Sequence, residues 1–204
     1  MGRSRLTSDE RRAQLIALGV AALADRPLEA LTTEYVAREA GVSRGLFAYY
    51  FGSRDGFHRE VVRTAGDALL HATEPNDGLG PVDRLRDTLT RIVEFVEEHE
   101  GTFFSLVRGA ASGDAEVREI VEGVRVVESE RVMAVVAELG CPDSTLLRTS
   151  LRSWVAFAEQ MLIDGVITHR MQKLPLVDFL VQSLFSIVVT VEPEQSSALS
   201  GFIH

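Results

Sequence analysis

The sequence predicts an all-α protein of about nine helices, with a small N-terminal domain at residues 1–55 and a larger C-terminal domain at residues 56–204. Apolar residues recur at helical spacing through almost the whole chain, and alternating strand-like patterns are hard to find. A cluster of helix-breaking residues also interrupts the chain at 74–81. We expect three or four helices before this cluster and five after it.

Composition places the chain among soluble globular proteins, because 46% of its 204 residues are hydrophobic and 25% are charged. The net charge of -9 argues against a protein that coats nucleic acid through bulk charge. The first 60 residues, however, carry nine arginines and eight acids and are nearly neutral. No apolar run approaches the roughly 18 residues of a membrane helix, so no membrane partner is expected.

The N-terminal segment predicts a helix rather than a targeting signal. Ser8 can cap this helix, and Asp9 and Glu10 would stand in its first turn, where acids are favoured. These acids argue against a signal peptide, which residues 15–24 superficially resemble. The single cysteine, Cys141, cannot form an internal disulfide. A cytoplasmic location is therefore expected.

Residues 31–57 predict a helix–turn–helix of the DNA-binding kind. Thr32 or Thr33 can cap a short helix, which Gly41 can end because glycine adopts the left-handed conformation without steric cost. Ser43 can cap the next helix, which runs to about residue 50. At 1.5 Å per residue that helix is about 10 Å long, which fits a major groove about 12 Å wide.

The second helix of this motif carries side chains suited to DNA. Phe47 and Phe51 would pack it against the core, and Arg44 can reach a guanine edge or a phosphate. Tyr49 and Tyr50 offer phenol donors to phosphates and ring faces to thymine methyl groups. The predicted DNA-binding residues are Thr32, Thr33, Ser43, Arg44, Gly45, Ala48, Tyr49, Tyr50 and Arg54.

The C-terminal part predicts long helices with wide apolar faces. One begins at Pro81, a second ends at Gly140, a third runs from residue 144 to about residue 168, and the last begins at Pro175. The last two have more apolar surface than one subunit is expected to cover, which favours an isologous homodimer over a monomeric bundle. The predicted interface residues are Leu151, Val155, Leu162, Leu180, Leu184, Ile187 and Val188.

Residues 8–71 resemble the DNA-binding domain of the TetR family of transcriptional regulators. The matching residues are Thr32, Val36, Ala37, Ala40, Gly41, Val42, Ser43, Gly45, Phe47, Tyr50, Phe51, Arg54 and Phe57. The later part resembles the family only in helix number and order. The resemblance implies a dimeric regulator, usually a repressor, in which a small ligand tilts the helix of residues 54–71. The two recognition helices would read half-sites about 34–36 Å apart.

One position departs from the family pattern. Ala48 stands where the family commonly has a tyrosine that contacts DNA, so we expect Arg44, Tyr49 and Tyr50 to carry more of the affinity. Arg54 replaces the usual lysine and keeps its charge. Because of Ala48 and the modest charge of residues 1–60, a helical dimeric scaffold that has lost DNA binding stays open as an alternative.

The same resemblance implies a ligand pocket in the C-terminal domain. Its expected walls are bulky or polar residues, although aromatic residues at helical spacing also fill ordinary bundle cores. The predicted pocket residues are Phe95, Phe103, Phe104, Val107, Arg108, Met133, Ser153, Trp154, Phe157, Gln160 and Met161. The ligand is expected to be small and at least partly apolar, and to release a repressor from a palindromic operator.

An enzymatic function is disfavoured. Residues 41–45 match the G-x-S-x-G motif of serine hydrolases, but that motif requires a strand before Ser43, and helical spacing precedes it here. The histidines show no metal-binding spacing and Cys141 stands alone, so no metal site and no cofactor are predicted. The double-stranded operator, the small effector and a second copy of the chain are the expected partners.

Overall fold

Helices account for the secondary structure of the described residues, which are 6–109, 113–195 and 199 in a computed structural model. Four α-helices precede the helix-breaking cluster and five follow it in this part of the chain, and no strand occurs there. The nine are α1 (Ser8–Ala22), α2 (Thr33–Ala40), α3 (Arg44–Phe51), α4 (Arg54–Ala72), α5 (Pro81–Glu98), α6 (Glu100–Gly109), α7 (Ala115–Glu138), α8 (Thr145–Leu162) and α9 (Lys173–Val191). The predicted all-α fold is confirmed.

Local capping chemistry explains where several helices begin. The Thr7 hydroxyl accepts a hydrogen bond from the Glu10 backbone N–H, and the Glu10 carboxylate accepts one from the Thr7 backbone N–H. The cap of α1 is therefore Thr7 and not Ser8, because Glu10 stands at the spacing that a reciprocal capping box requires. Ser144 caps α8 with a single hydrogen bond, which its hydroxyl accepts from the Leu147 backbone N–H at 3.1 Å.

Packing divides the chain into two compact units, which comprise residues 1–68 with 99–121 and residues 69–98 with 122–204. In the first unit, the rings of Phe47, Phe51 and Phe57 contact one another with centroids 4.9–5.1 Å apart. This cluster joins α3 to α4. The tight connection between the two helices requires glycine at position 56, because a Cβ there would collide with the Phe51 carbonyl oxygen. The functional boundary at residue 55 stays a prediction.

The core of the second unit is built by α5, α8 and α9, with α9 packed against both of the others. Leu147 and Leu151 of α8 and Leu180 and Leu184 of α9 are almost completely buried there. Trp154 of α8 donates its indole N–H to the Ser183 hydroxyl at 2.9 Å, which satisfies the one polar atom of a buried ring. A π-helical segment, Ile163–Thr168, continues α8 and was not expected from the sequence.

Helix α9 is long and strongly apolar, which matters because the sequence predicted no membrane partner. By length and composition alone it is apolar enough to cross a membrane, contrary to the expectation that no run approaches this length. Its side chains at Leu176, Val177, Leu180, Leu184 and Val188 are, however, buried inside the second unit. These contacts are those of a core helix of a globular domain.

Two arginines hold the C-terminal end of α4 within the second unit. Arg131 donates to the Leu70 carbonyl at 2.9 Å, to the Thr73 carbonyl at 3.3 Å and to the Glu128 carboxylate at 3.1 Å. Arg91 donates to the Ala72 carbonyl at 3.1 Å. Carbonyls at a helix end have no partner within the helix, and cations are favoured beside them. Burial raises the pKa of Glu128, an effect that Arg131 opposes.

Replacing Arg131 by methionine is expected to lower the free energy of unfolding by about 3–5 kcal/mol. The change removes the guanidinium of a mostly buried ion pair and leaves the Glu128 carboxylate without its counter-charge. Urea unfolding of the purified protein would measure the loss. The matched control is Arg86→Met, which breaks the exposed pair with Asp178 and should lower stability by less than about 1 kcal/mol. If both variants lose the same free energy of unfolding, the buried Arg131 contacts contribute no more stability than an exposed ion pair does.

Candidate nucleic-acid interface

The turn between α2 and α3 is fixed by backbone geometry that the sequence predicts. Gly41 adopts φ +64°, in the left-handed region that favours glycine. Its N–H donates to the Arg38 carbonyl at 3.1 Å, and the Val42 N–H donates to the Ala37 carbonyl at 2.9 Å. These two bonds close the end of α2 in the pattern of a Schellman motif. The predicted turn at Gly41 is confirmed by this geometry.

Capping residues start both helices of the motif. Thr32 accepts a hydrogen bond from the Tyr35 N–H at 3.1 Å, and Ser43 accepts one from the Leu46 N–H at 3.1 Å. Thr33 is the first residue of α2 and is half-buried. Each cap satisfies a backbone donor that would otherwise lack a partner. The Ser43 hydroxyl therefore has a structural role, and it follows a helix instead of the strand that a hydrolase nucleophile needs.

Helix α3 presents one face to the core and the other to solvent. Phe47 and Phe51 are buried as predicted. On the outer face the Arg44 side chain is 72% exposed and Tyr49 is 77% exposed. Tyr50 is only half-buried, and its ring contacts that of Tyr49 edge-on with centroids 5.3 Å apart. Tyr49 is therefore the more accessible of the two tyrosines.

Three further predicted DNA-binding residues also lie at the surface. Gly45 and Ala48 are exposed on α3, and Arg54 is exposed as the first residue of α4. The Arg54 guanidinium lies 3.4 Å from the Asp55 carboxylate. A Cβ at Gly45 would meet only the Ser43 hydroxyl, at 3.8 Å, so the fold itself does not require glycine at that position.

Sequence reasoning missed an acidic residue on this surface. The Glu34 carboxylate, in the first turn of α2, accepts from the Arg44 guanidinium at 3.2 Å. An acid at the start of a helix is favoured by the helix dipole, so its presence in the sequence gave no sign of this contact. The tertiary turn at Gly41 brings the two side chains together.

A buried histidine ties α4 to the start of α2. The Nε2 atom of His58 lies 2.9 Å from the carbonyl oxygen of Leu31, the residue before the cap of α2. Burial lowers the pKa of His58, and Arg54 acts in the same direction. The Leu31 carbonyl, Asp55 and Glu29 act in the opposite direction. The neutral imidazole therefore fits this site better than the imidazolium does.

Acidification is expected to destabilise the protein through His58. Its pKa is lower in the folded state than the ordinary value of 6.5, so the unfolded chain binds more protons below that pH. Stability is lost as the pH falls through 6.5 toward the folded-state pKa, by at most about 1.4 kcal/mol per pH unit. Urea unfolding of wild type and His58→Gln at several pH values measures this contribution. The matched control is His71→Gln, which removes an exposed imidazole of α4.

Comparison with known proteins decides the family. A model described as "Bacterial regulatory proteins, tetR family" matches residues 15–61, and one described as "Tetracyclin repressor-like, C-terminal domain" matches residues 81–187. The chain belongs to the TetR family. It is therefore a ligand-responsive DNA-binding transcriptional regulator and not an enzyme, as the sequence predicted.

Solved structures share the fold of this chain. A TetR-family regulator from Streptomyces coelicolor has 22% identity and a TM-score of 0.77, with 100% of this chain and 90% of that chain covered. A TetR-like regulator from Rhodococcus sp. RHA1 has 22% identity and a TM-score of 0.68, with 97% and 98% covered. At this identity the likeness shows the fold alone. A search of curated proteins finds no significant match.

The predicted pocket residues of this TetR-family chain divide between the two units. In the first unit, the Arg108 guanidinium stacks on the Phe104 ring at 5.0 Å, and both line a cleft of about 270 Å³. Phe103 is buried, and Val107 is half-buried. A second and strongly polar cleft of about 770 Å³ in this unit includes Arg108 but none of the predicted aromatic residues.

In the second unit the predicted pocket residues do not share one wall. Phe95, Met133 and Trp154 are buried, and Met161 is half-buried. Ser153, Phe157 and Gln160 lie instead on the exposed face of α8, because residues four and seven apart share one side of a helix. A cleft of about 190 Å³ in this unit includes Met133 but no other predicted pocket residue. It is lined by Val126, Ser129, Glu130, Met133, Arg148, Leu151 and Arg152.

The predicted dimer residues lie mostly in the interior of one subunit. Leu151, Val155, Leu162, Leu180, Leu184 and Val188 are buried by their own subunit, and Ile187 is half-buried. Six of the seven side chains are thus enclosed by their own subunit, and the interface role of this set stays a prediction. The large apolar residues of these helices that stay exposed are Leu146 and Phe157 on α8 and Leu174 and Phe179 on α9.

The described residues contain no group of side chains suited to a metal ion. Within residues 6–109, 113–195 and 199, no group of three or more His, Cys, Asp or Glu side chains is placed to hold a metal ion. Cys141 is buried, and burial raises the pKa of its thiol.

Proposed function

We propose that the protein is a homodimeric cytoplasmic repressor that reads a palindromic operator and leaves it when a small, partly apolar ligand binds. The observation that carries this proposal is the outer face of α3. Arg44 and Tyr49 project from it, whereas Phe47 and Phe51 fasten the opposite face to the core. A short exposed helix with an arginine at its first residue suits entry into a major groove.

Gly45 supports close approach of α3 to DNA. Glycine weakens a helix by about 1 kcal/mol relative to alanine, and the free protein has room for a side chain there. A glycine that the fold does not require is explained if the helix backbone lies against the base edges or the phosphates. Thr32, Ser43 and Arg54 stand at or near helix starts, where hydroxyl and guanidinium groups can add phosphate contacts.

The dimer surface that we propose lies on the outer faces of α8 and α9. The rings of Phe157 and Phe179 contact each other across these helices with centroids 6.1 Å apart, which makes the two faces continuous. Most neighbouring positions on these faces are uncharged: Leu146, Thr149, Ser150, Ser153, Gln160, Gln182, Ser183, Ser186 and Thr190. The exposed acid Asp164, which accepts from the Gln160 amide at 3.0 Å, lies just beyond the end of α8. Depletion of charge around aromatic residues is typical of the centre of a protein interface. A two-fold axis would pair this surface with itself.

The clefts support a ligand that is partly apolar. In the second unit, Met133 and Leu151 line the same cleft as Ser129 and Arg148, so apolar and polar groups face one volume. Ligand sites generally combine an apolar wall with a few polar groups that fix orientation. This cleft lies in the part of the chain that matches the C-terminal domain model.

Selection from random double-stranded DNA tests the proposed function. The wild-type protein should enrich a palindrome whose half-sites lie about one helical turn apart. No enriched palindrome at low salt would favour the scaffold alternative that Ala48 raised. The selected operator then serves to screen small molecules for release, and a compound that strengthened operator binding instead would contradict the repressor mechanism.

A further inference from the structure

One ion pair joins the two helices of the DNA-reading motif on their exposed side. The Arg44 guanidinium, at the first residue of α3, lies 3.2 Å from the Glu34 carboxylate in the first turn of α2. The two side chains are 72% and 55% exposed. Both groups therefore lie on the surface that would face DNA.

The fold does not depend on this pair. Exposed ion pairs contribute little to stability, because water and salt screen them. The backbone bonds around Gly41, the Ser43 cap and the burial of Phe47 already fix the angle between α2 and α3. Stability of the free protein therefore does not explain why Glu34 stands beside Arg44, the one arginine of α3.

At a DNA surface the pair has a specific physical effect. An unpaired arginine binds any phosphate, and such a contact carries no sequence information. A carboxylate beside the guanidinium repels phosphate but tolerates the neutral edge of a base pair. Guanine O6 and N7 can still accept from Arg44, and the carboxylate of Glu34 can accept from a cytosine amino group.

We propose that Glu34 is a specificity-determining positioning residue of the operator site. It holds the Arg44 guanidinium for a base edge and disfavours contact of that group with the phosphate backbone. A guanidinium that is held in place also loses less side-chain freedom when it binds. This inference rests on the proposed operator-reading function and concerns how that site discriminates between sequences.

The chain offers a matched control on the same helix. Glu39 of α2 pairs with Arg38 at 3.1 Å and does not contact Arg44. Glu39→Gln and Glu34→Gln each remove one negative charge from α2 with little change in shape. Only the second alters the partner of Arg44, so the control separates a general charge effect from a positioning effect.

The experiment measures the affinity of each variant for the selected operator and for random DNA over a range of salt concentrations. Glu34→Gln is expected to strengthen binding to random DNA and to lower the ratio of specific to random binding about tenfold. The slope of log K against log salt on random DNA should steepen by roughly 0.9 per subunit, as for one added phosphate contact. Glu39→Gln should change the ratio by less than about twofold.

A double-mutant cycle with Arg44→Ala tests whether Glu34 acts through Arg44. In the Arg44→Ala background, Glu34→Gln should leave the ratio almost unchanged. Equal effects of Glu34→Gln and Glu39→Gln, or an undiminished effect without Arg44, would overturn the inference. If Glu34→Gln leaves the ratio of specific to random binding unchanged, the inference about Glu34 fails but the proposed function stands. If the wild type enriches no palindrome, the proposed function fails as well.

Discussion

Alanine in place of Arg44 is expected to weaken operator binding by about 2–6 kcal/mol per dimer. A bidentate contact between arginine and guanine contributes about 1–3 kcal/mol, and a two-fold dimer makes that contact twice. The side chain is mostly exposed in the free protein and pairs only weakly with Glu34, so the fold should survive its removal. Fluorescence anisotropy on the selected operator at one salt concentration measures the effect, and thermal unfolding of the same preparation checks the fold.

Tyr49→Ala should act in the same direction. Its ring is 77% exposed, and its phenol can donate to a phosphate oxygen, a contact to a charged group worth about 1.5–3 kcal/mol. Tyr50 should contribute less, because it is half-buried beside Phe51, with ring centroids 6.2 Å apart. If Tyr49 contacts a phosphate, operator and random DNA lose similar affinity, whereas Arg44→Ala weakens the operator more.

Arg63→Ala is the charge-matched control for this prediction. It removes an exposed arginine of α4 that pairs with Glu60, outside the helix–turn–helix, and should change operator affinity little. If Arg44→Ala and Tyr49→Ala bind the selected operator as tightly as wild type, then α3 is not the recognition helix. If Arg63→Ala weakens operator binding as much as Arg44→Ala does, net charge and not base contact explains the role of Arg44.

The helix–turn–helix could be predicted from the sequence because its determinants are local. Gly41 needs only its own left-handed backbone, and Ser43 needs only a backbone N–H three residues later. Phe47 and Phe51 are one helical turn apart, so their shared burial follows from spacing alone. The Glu34–Arg44 contact lies ten positions apart in sequence and becomes visible only once the turn is folded.

The burial of each apolar residue on α8 and α9 could not be predicted because a wide apolar helix does not reveal which neighbour covers each side. Leu180 and Phe179 are adjacent in sequence and both apolar, yet one is completely buried and the other is 46% exposed. The other helices of the same subunit decide the difference. The same reason applies to the predicted pocket residues, since Ser153 and Trp154 are neighbours in sequence, yet Ser153 is exposed and Trp154 is buried.

A double substitution, Phe157→Glu with Phe179→Glu, is expected to convert the proposed dimer to a monomer. Phe157 and Phe179 are 39% and 46% exposed in one subunit, and their rings contact each other among mostly uncharged neighbours. A two-fold interface would contain four new carboxylates near its axis. Burying charges without partners costs several kcal/mol each, so the dissociation constant of the dimer should rise by more than about 100-fold.

Leu174→Glu provides the matched control. Leu174 is also an exposed apolar residue of α9, but it stands five residues before Phe179 and so lies about 140° around the helix from it. The same substitution there should leave the dimer intact. Sedimentation velocity of each variant at several concentrations measures the oligomeric state, and circular dichroism confirms that the helices persist.

Loss of the dimer should remove operator binding together with self-association. A monomer presents one α3 helix to one half-site. In a dimer the second α3 helix is held close to the second half-site, at a high effective concentration, and a monomer lacks this contact. Contacts to a single half-site should persist, so the affinity of the variant for the operator should fall toward its affinity for random DNA. A dimer that survives both glutamates, or that dissociates with Leu174→Glu, would place the interface on another face of α9. A monomeric variant that kept full operator affinity would instead refute the two-fold arrangement of the reading helices.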